Sequence, residues 1–450
     1  MLETIKITEM MKRFDECKQS GYLDFPKICD FSPNKEYYNN FIHRYPAKML
    51  NQIPYAILPF YAKKGDTILD CFCGSGTTLM QARLFGMHAI GFDINPIAVL
   101  ISRVKANTFN CNILLKEITS LFEKIENTTV IEENIPQFKN RDFWFEKNIQ
   151  YDIAKILKNI KEVENIKYRE FFLVCLSSII RKISNADFQI IPPVKSKKMI
   201  DIIENGREID TINIFKEAVY LNFKRISKFS KDCVKNTDLI VKQANTRKIP
   251  LVNESVDLVI TSPPYITAQK YARSTRLEMA WLGLTNEDNY KKIDIDTIGT
   301  ERISIKDIDQ INETGYPLLD KYIKIIKQRN QSRAFMAYKY FIDMEKCLNE
   351  IYRVLKINKY FILVIGNNNV TRIQIPNNKI ITEIAQSIGF IKEEEYIDDI
   401  KYYGFMTKRN KSAGIIDSER IIIFKKSEIQ DSKSLKSNLN NGNNKYLFKL

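Results

Sequence analysis

The chain has 450 residues, 44% hydrophobic and 27% charged, and its 69 Lys and Arg against 54 Asp and Glu leave a net charge of +15. No run approaches the roughly 18 apolar residues that span a bilayer, and the N-terminal stretch is charged throughout without the apolar core of a signal peptide. A folded cytoplasmic protein is therefore expected, not a secreted, transmembrane or mainly disordered one.

Eight cysteines are too sparse for a disulfide scaffold, and reduced thiols are expected. Cys71 and Cys73 form a close pair inside a Gly-rich turn, but His43 and His88 are the only histidines, so no zinc site is expected. Most of the positive excess, +11, falls in the last 130 residues. It points to a polyanionic partner; the competing explanation is a compositional bias toward Lys, Ile and Asn along the whole chain.

In chain order, residues 65–110 read as one α/β unit. Thr67 to Asp70 is a short apolar strand, Cys71 to Thr78 a small-residue turn, and Leu79 to Phe85 the start of a helix that Gly86 ends. Ala89 to Asp93 is a second strand closing on an acid. This is the outline of a nucleotide-binding crossover. Helical runs follow at Asn148 to Ile160 and Arg169 to Ile183, inside a segment long enough to be a domain. Val256 to Ile260 is a strand that runs into Thr261-Ser262-Pro263-Pro264-Tyr265. Apolar spacing predicts a helix over Phe335 to Leu355, a buried strand over Tyr360 to Ile365, a helix over Ile380 to Ile388 and a late strand over Ile421 to Phe424. Lys426 to Lys445, rich in Ser, Asn and Lys, reads as a mobile tail.

Two of these segments carry chemistry. In the Asp70 to Thr78 turn, glycines let the backbone approach a ligand, and the following helix offers free N–H groups. An acid about 20 residues on, here Asp93, suits a ribose diol. The third glycine of the dinucleotide fingerprint is replaced by Leu79, so a plain tight turn is the alternative. At Ser262 to Tyr265, two prolines end a strand abruptly and leave carbonyls without ladder partners. A rigid acceptor pair beside an aromatic face is what holding the exocyclic amine of a flipped base requires; the alternative is a proline turn. Both motifs in one chain, each at a strand end, are far more specific than either alone.

At these residues the sequence resembles the S-adenosylmethionine-dependent DNA amino-methyltransferases, which modify cytosine N4 or adenine N6. His43-Arg44-Tyr45-Pro46-Ala47-Lys48-Met49 is similar to the family's N-terminal motif beside the methionine part of the cofactor. Gly91 to Pro96 is similar to its second cofactor motif. Ala244-Asn245-Thr246-Arg247 resembles a Gly-Asp-Ala-Arg element whose acid contacts the cofactor's adenine amine. Asn245 stands in the acid's place and can still accept a hydrogen bond. The resemblance covers residues 41–110, 241–285 and about 335–425.

The resemblance implies an α/β fold, a Rossmann-like, mainly parallel seven-stranded methyltransferase sheet with a mostly helical insertion. Residues 1–110 would hold the N-terminal motif and the cofactor half, and 111–238 the helical, target-recognising insertion. Residues 239–425 would hold the catalytic half, with a second insertion at about 266–334, and 426–450 the tail. The cofactor would be S-adenosylmethionine, held by Tyr45, Pro46, Ala47, Lys48, Asp70, Phe72, Gly74, Ser75, Gly76, Thr77, Thr78, Asp93, Ile94 and Asn245. Ser262, Pro263, Pro264 and Tyr265 would be catalytic.

Duplex DNA would be the substrate, with Arg273, Arg276, Lys408 and Arg409 against it. A separate restriction endonuclease is a possible companion. The absence of a Pro-Cys pair argues against cytosine-C5 chemistry. In the family, Ser before Pro-Pro mostly goes with cytosine N4, so that base is favoured over adenine N6. An RNA base methyltransferase and a non-catalytic DNA-binding relative are the rivals from other classes.

Overall fold

The computed structural model describes residues 2–29, 37–46, 48–190, 192–266, 271–304, 307–400 and 417–428. Lys408, Arg409 and Ala47, all expected at sites, lie outside them, as does nearly all of the tail.

The described residues form nine strands: β1 (Thr67–Asp70), β2 (His88–Asp93), β3 (Leu239–Gln243), β4 (Val256–Thr261), β5 (Leu355–Gly366), β6 (Asn368–Val370), β7 (Ile373–Ile375), β8 (Phe390–Asp399) and β9 (Ser418–Lys426). Seven form one sheet in the order β3-β2-β1-β4-β5-β9-β8, while β6 and β7 form a hairpin. β3, β2, β1, β4 and β5 run parallel. β9 runs antiparallel to both β5 and β8. The expected seven-stranded, mainly parallel sheet is thus present.

The sheet has a core on each face because its apolar strands alternate. Ile68, Leu258, Ile260, Ile362 and Val364 face one core, where helices Gln52–Tyr61 and Thr77–Leu84 pack. Leu69, Val259, Phe361 and Leu363 face the other, under helices Pro317–Arg329, Gln331–Val354 and Asn377–Ile388. Period-two burial on both faces is what a covered parallel sheet requires.

Between β2 and β3 lie helices Cys111–Asn127, Lys147–Lys161, Ile166–Ile183 and Thr211–Asp232, with shorter ones among them. Their apolar faces do not close on themselves alone. They form one core with Ile97, Leu100, Ile101 and Val104 of helix Pro96–Lys105, and with Leu277, Met279 and Trp281 of helix Arg276–Trp281. No described helix is long and apolar enough to cross a membrane.

Strand order reverses between β1 and β4, so the chain leaves the sheet in opposite directions there. In open α/β sheets, a crevice for ligands opens outside the carboxyl ends of strands at such a point. The glycine turn, Asp93, Asn245 and the Ser262 to Tyr265 loop all follow the carboxyl ends of β1, β2, β3 and β4. Glu419 reaches the same edge because antiparallel β9 begins there, opposite Gly366 at the end of β5.

Candidate active site at the sheet edge

The turn after β1 is fixed by its own carboxylates. Asp70, buried, accepts from the Thr261 hydroxyl at 2.7 Å and from the Phe72 N–H at 3.2 Å. It therefore ties the turn to the last residue before Ser262. Gly76, in the left-handed region, opens helix Thr77–Leu84. Asp93, ending β2, accepts from the Gly74 N–H at 2.9 Å and the Asn95 N–H at 2.8 Å. Burial pushes both Asp70 and Asp93 up to about 6, against backbone and hydroxyl donors that favour the charged forms.

These parts surround one cavity. Of the residues expected from the sequence, Tyr45, Phe72, Gly74, Asp93, Ile94, Asn245, Ser262 and Pro264 line it. Glycine turn and Ser-Pro-Pro-Tyr loop, separated by almost 190 residues, thus share a single space.

Other expected residues face elsewhere. Ser75, Thr77 and Thr78 are buried, with the Thr77 hydroxyl accepting from Lys105 Nζ at 3.0 Å. Pro46 lines a separate cavity with His43, Arg44, Ser177 and Arg181. Lys48 donates to the Asn40 carbonyl at 2.8 Å, lies over the Phe41 ring and is brought down to about 8 by burial. It lines a third cleft, with Asp398 and Glu419. Arg273 is exposed, and the Arg276 guanidinium lies 5.7 Å from the Trp144 ring centroid, joining the second insertion to the helical one.

The Ser262 to Tyr265 loop is pinned from three sides. Pro263 is buried. The Tyr265 hydroxyl donates to Glu419 Oε1 at 2.5 Å, and burial raises the Glu419 carboxyl. Asn368 Nδ2 donates to the Ile266 carbonyl at 2.5 Å. Gly299 passes so close that a Cβ there would lie 2.7 Å from the Tyr265 carbonyl oxygen, and its φ of +77° also requires glycine.

Seven lining residues were not among those expected at the site: Asn95, Ala244 and Thr246, which lie inside the matched motifs, and Ala272, Asp296, Thr297 and Ile298. Asn95 had a signal, since an Asn directly before Pro96 is a helix cap. Its side chain accepts from the Ile97 N–H at 3.3 Å and donates to Tyr45 Oη at 3.2 Å and Thr275 Oγ1 at 3.3 Å. It thereby joins the N-terminal motif, the cofactor turn and the second insertion. Asp296 to Ile298 and Glu419 carried none.

A parallel sheet with one late antiparallel strand, a glycine turn answered by a strand-end acid, and an adjoining Ser-Pro-Pro-Tyr loop together define a methyltransferase-type nucleotide-cofactor domain. Residues 15–103 match the model of a DNA methylase family. Over 403 residues the chain is 26% identical to the type II methyltransferase M.MvaI of Kocuria varians, covering 84% of this chain and 86% of that one. M.BsoBI of Geobacillus stearothermophilus is 25% identical over 418 residues, covering 81% of each chain. M.AvaI of Nostoc sp. is 26% identical over 438 residues, covering 87% of this chain and 89% of its own. Over most of its length the chain is thus similar to type II DNA methyltransferases, and over residues 15–103 to the DNA methylase family.

The family's cofactor is S-adenosylmethionine, and the residues present fit it. Asp93 offers a carboxylate to a ribose diol. Phe72, Ile94 and Ile298 offer apolar walls to a purine, and Asn245 and Asp296 offer polar groups at the β3 end.

Proposed function

We propose that this chain is a site-specific DNA methyltransferase that transfers a methyl group from S-adenosylmethionine to the N4 amine of a cytosine flipped out of duplex DNA. One observation carries the reading: Ser262 and Pro264 line the same cavity as Gly74, Asp93 and Ile94. A base presented to the loop therefore meets a methyl donor held by the turn. The cofactor supplies an activated sulfonium methyl.

The chain's own residues do the positioning. An exocyclic amine is a poor nucleophile because its lone pair is delocalised into the ring. The Ser262 hydroxyl and the Pro263 carbonyl accept its two hydrogens and turn the nitrogen toward the methyl. The Tyr265 ring stacks on the base, offsetting part of the few kcal/mol that flipping costs. S-adenosylmethionine held by the turn would give up its methyl by direct displacement at the amine nitrogen, with S-adenosylhomocysteine as the leaving group and one amine proton lost, while the Ser262 hydroxyl and the Pro263 carbonyl hold the amine in line. No enzyme-bound covalent intermediate is formed, and orientation supplies most of the rate gain.

The helical insertion and Arg273, Arg276, Lys408 and Arg409 hold the duplex, largely through phosphates. The Ser before Pro-Pro supports cytosine over adenine. A separate restriction endonuclease cutting at the same site is the companion this activity fits.

The test is incubation of the purified chain with unmodified genomic DNA and S-adenosylmethionine, then mass spectrometry of the digested nucleosides. N4-methylcytosine is expected. N6-methyladenine alone would overturn the base while keeping the mechanism. Methylation of RNA and not DNA would overturn the substrate.

A further inference from the structure

Asn245 stands where the family pattern has an acid, and its surroundings decide what it can offer. Its side-chain oxygen accepts from the Arg247 N–H at 3.1 Å and from Arg247 Nε at 3.1 Å. An amide oxygen has two lone pairs, and both are engaged. Rotating the amide would set its NH₂ against two N–H donors, so Arg247 fixes its orientation. What Asn245 has left is a donor. A donor cannot take the hydrogen of an adenine amine.

The missing acceptor lies across the same guanidinium. Arg247 Nη2 donates to the Asp296 carbonyl at 2.6 Å, while Nη1 pairs with Asp343 at 2.9 Å. Arg247 thus holds Asn245 and Asp296 side by side at the β3 end of the cavity, and both residues line it. The Asp296 carboxylate makes no hydrogen bond or ion pair among the described residues. The neighbouring polar side chains are already donating inward: Thr297 to the Ile293 carbonyl at 2.7 Å, Thr246 to the Cys71 carbonyl at 2.5 Å. Asp93, the other lining carboxylate, is engaged by two N–H groups at the end of β2.

We propose that Asp296, on the second insertion, accepts the exocyclic amine of the cofactor's adenine while the Asn245 amide donates to the adjacent ring nitrogen. Together they read the donor–acceptor edge that distinguishes adenine from a 6-oxopurine. The acid absent from the strand end is supplied by an inserted segment about 50 residues further along the chain. This rests on the methyltransferase reading above.

The experiment is calorimetry of the full chain with S-adenosylhomocysteine and with its inosine counterpart, in which the amine is an oxygen and the ring nitrogen carries hydrogen. The wild type should prefer the adenosyl ligand by about tenfold or more, the scale of one hydrogen bond to a charged group. Asp296→Ala should cut that preference to less than about threefold. Asp296→Asn, whose amide can donate to the 6-oxygen, should move it further toward the inosyl ligand. Folding of each variant is checked by circular dichroism; Asp296→Asn, nearly isosteric, decides the matter if the alanine variant is unstable. Undiminished preference in the folded variants overturns the assignment and leaves the methyltransferase reading standing. A wild type that binds neither ligand overturns that reading, and the assignment with it.

Discussion

Tyr265 and Glu419 are 154 residues apart in sequence, yet one hydrogen bond of 2.5 Å joins them. Glu419 has no other side-chain partner among the described residues, and burial already raises its carboxyl. If this bond orients the ring on which the base stacks, removing either end should have the same consequence. Hydrogen bonds to charged groups are worth about 1.5–3 kcal/mol. Because Glu419 can take up a proton when left alone, the lower end applies. Tyr265→Phe and Glu419→Ala should each slow methyl transfer about tenfold, the rate equivalent of about 1.4 kcal/mol. The double variant should be no slower than the worse single one, since both remove one contact. Single-turnover transfer of labelled methyl to unmodified genomic DNA measures this, with cofactor and duplex affinities measured alongside and expected to stay within twofold. Losses that multiply to about a hundredfold, or single variants within twofold of wild type, would refute the idea that the ring is held through its hydroxyl.

Asp93→Ala should weaken cofactor binding by about 1.5–3 kcal/mol in calorimetry, and an unchanged affinity would put the ribose elsewhere. In the wild type, cofactor affinity should fall as pH drops through about 6, where Asp93 takes up a proton and loses acceptor capacity; a flat profile between pH 5 and 8 counts against its role. Gly91→Ala should destabilise the chain by about 1–3 kcal/mol, because the new Cβ would lie 2.4 Å from Leu79 Cδ1. Denaturant unfolding should show that loss, and Leu79→Ala should cost less in the Gly91→Ala background than in the wild type. Duplex affinity should fall steeply with salt. Neutralising Lys408 and Arg409 together should lower it about equally for all sequences, and a loss confined to one site would mean that the loop reads bases.

What was legible in the sequence was local. The strands of the sheet centre, β1, β2, β4 and β5, are short apolar runs and were readable as such. β8 was not, because Phe390–Asp399 carries Glu393, Glu394 and Glu395 in succession. Charge of this kind marks an edge strand, where it discourages pairing with other chains, and it erases the apolar signal. β3, at the opposite edge, was missed likewise, with four of its five residues at least partly exposed. Leu79, which breaks the dinucleotide fingerprint, has its explanation in space. Its side chain packs over Gly91 of β2, so the close helix–strand approach is made by a glycine on the strand instead.

The site divides in the same way. Glycine turn, Asp93 and Ser-Pro-Pro-Tyr announce themselves because each is a contiguous motif at a strand end. Asp296 and Glu419 do not, since what recruits them is the folded sheet edge. Pro46 and Lys48 belong to the N-terminal motif by sequence, but each lines a separate cleft, and of the described residues Tyr45, Pro46 and Lys48 only Tyr45 lines the cavity at the glycine turn.

Gathering acids at this edge has an energetic consequence. Asp70 and Asp93 hold their protons more tightly in the folded chain than at their ordinary value near 4. The sign follows from proton linkage: the contribution to stability is fullest below that ordinary value and is lost as pH rises through about 6. At neutral pH the buried Asp70 carboxylate therefore costs the fold on the order of a few kcal/mol, and the half-buried Asp93 carboxylate less. Asp70 has a compensating duty, since its bond to Thr261 registers the glycine turn against the start of the Ser-Pro-Pro-Tyr loop. Asp93 has its two backbone donors and faces a cavity. A ligand that brings hydroxyl donors to it relieves the remaining desolvation. The binding energy of such a ligand is thus drawn partly from an instability that the folded site carries on its own, which ties recognition at Asp93 to the folding of the sheet edge.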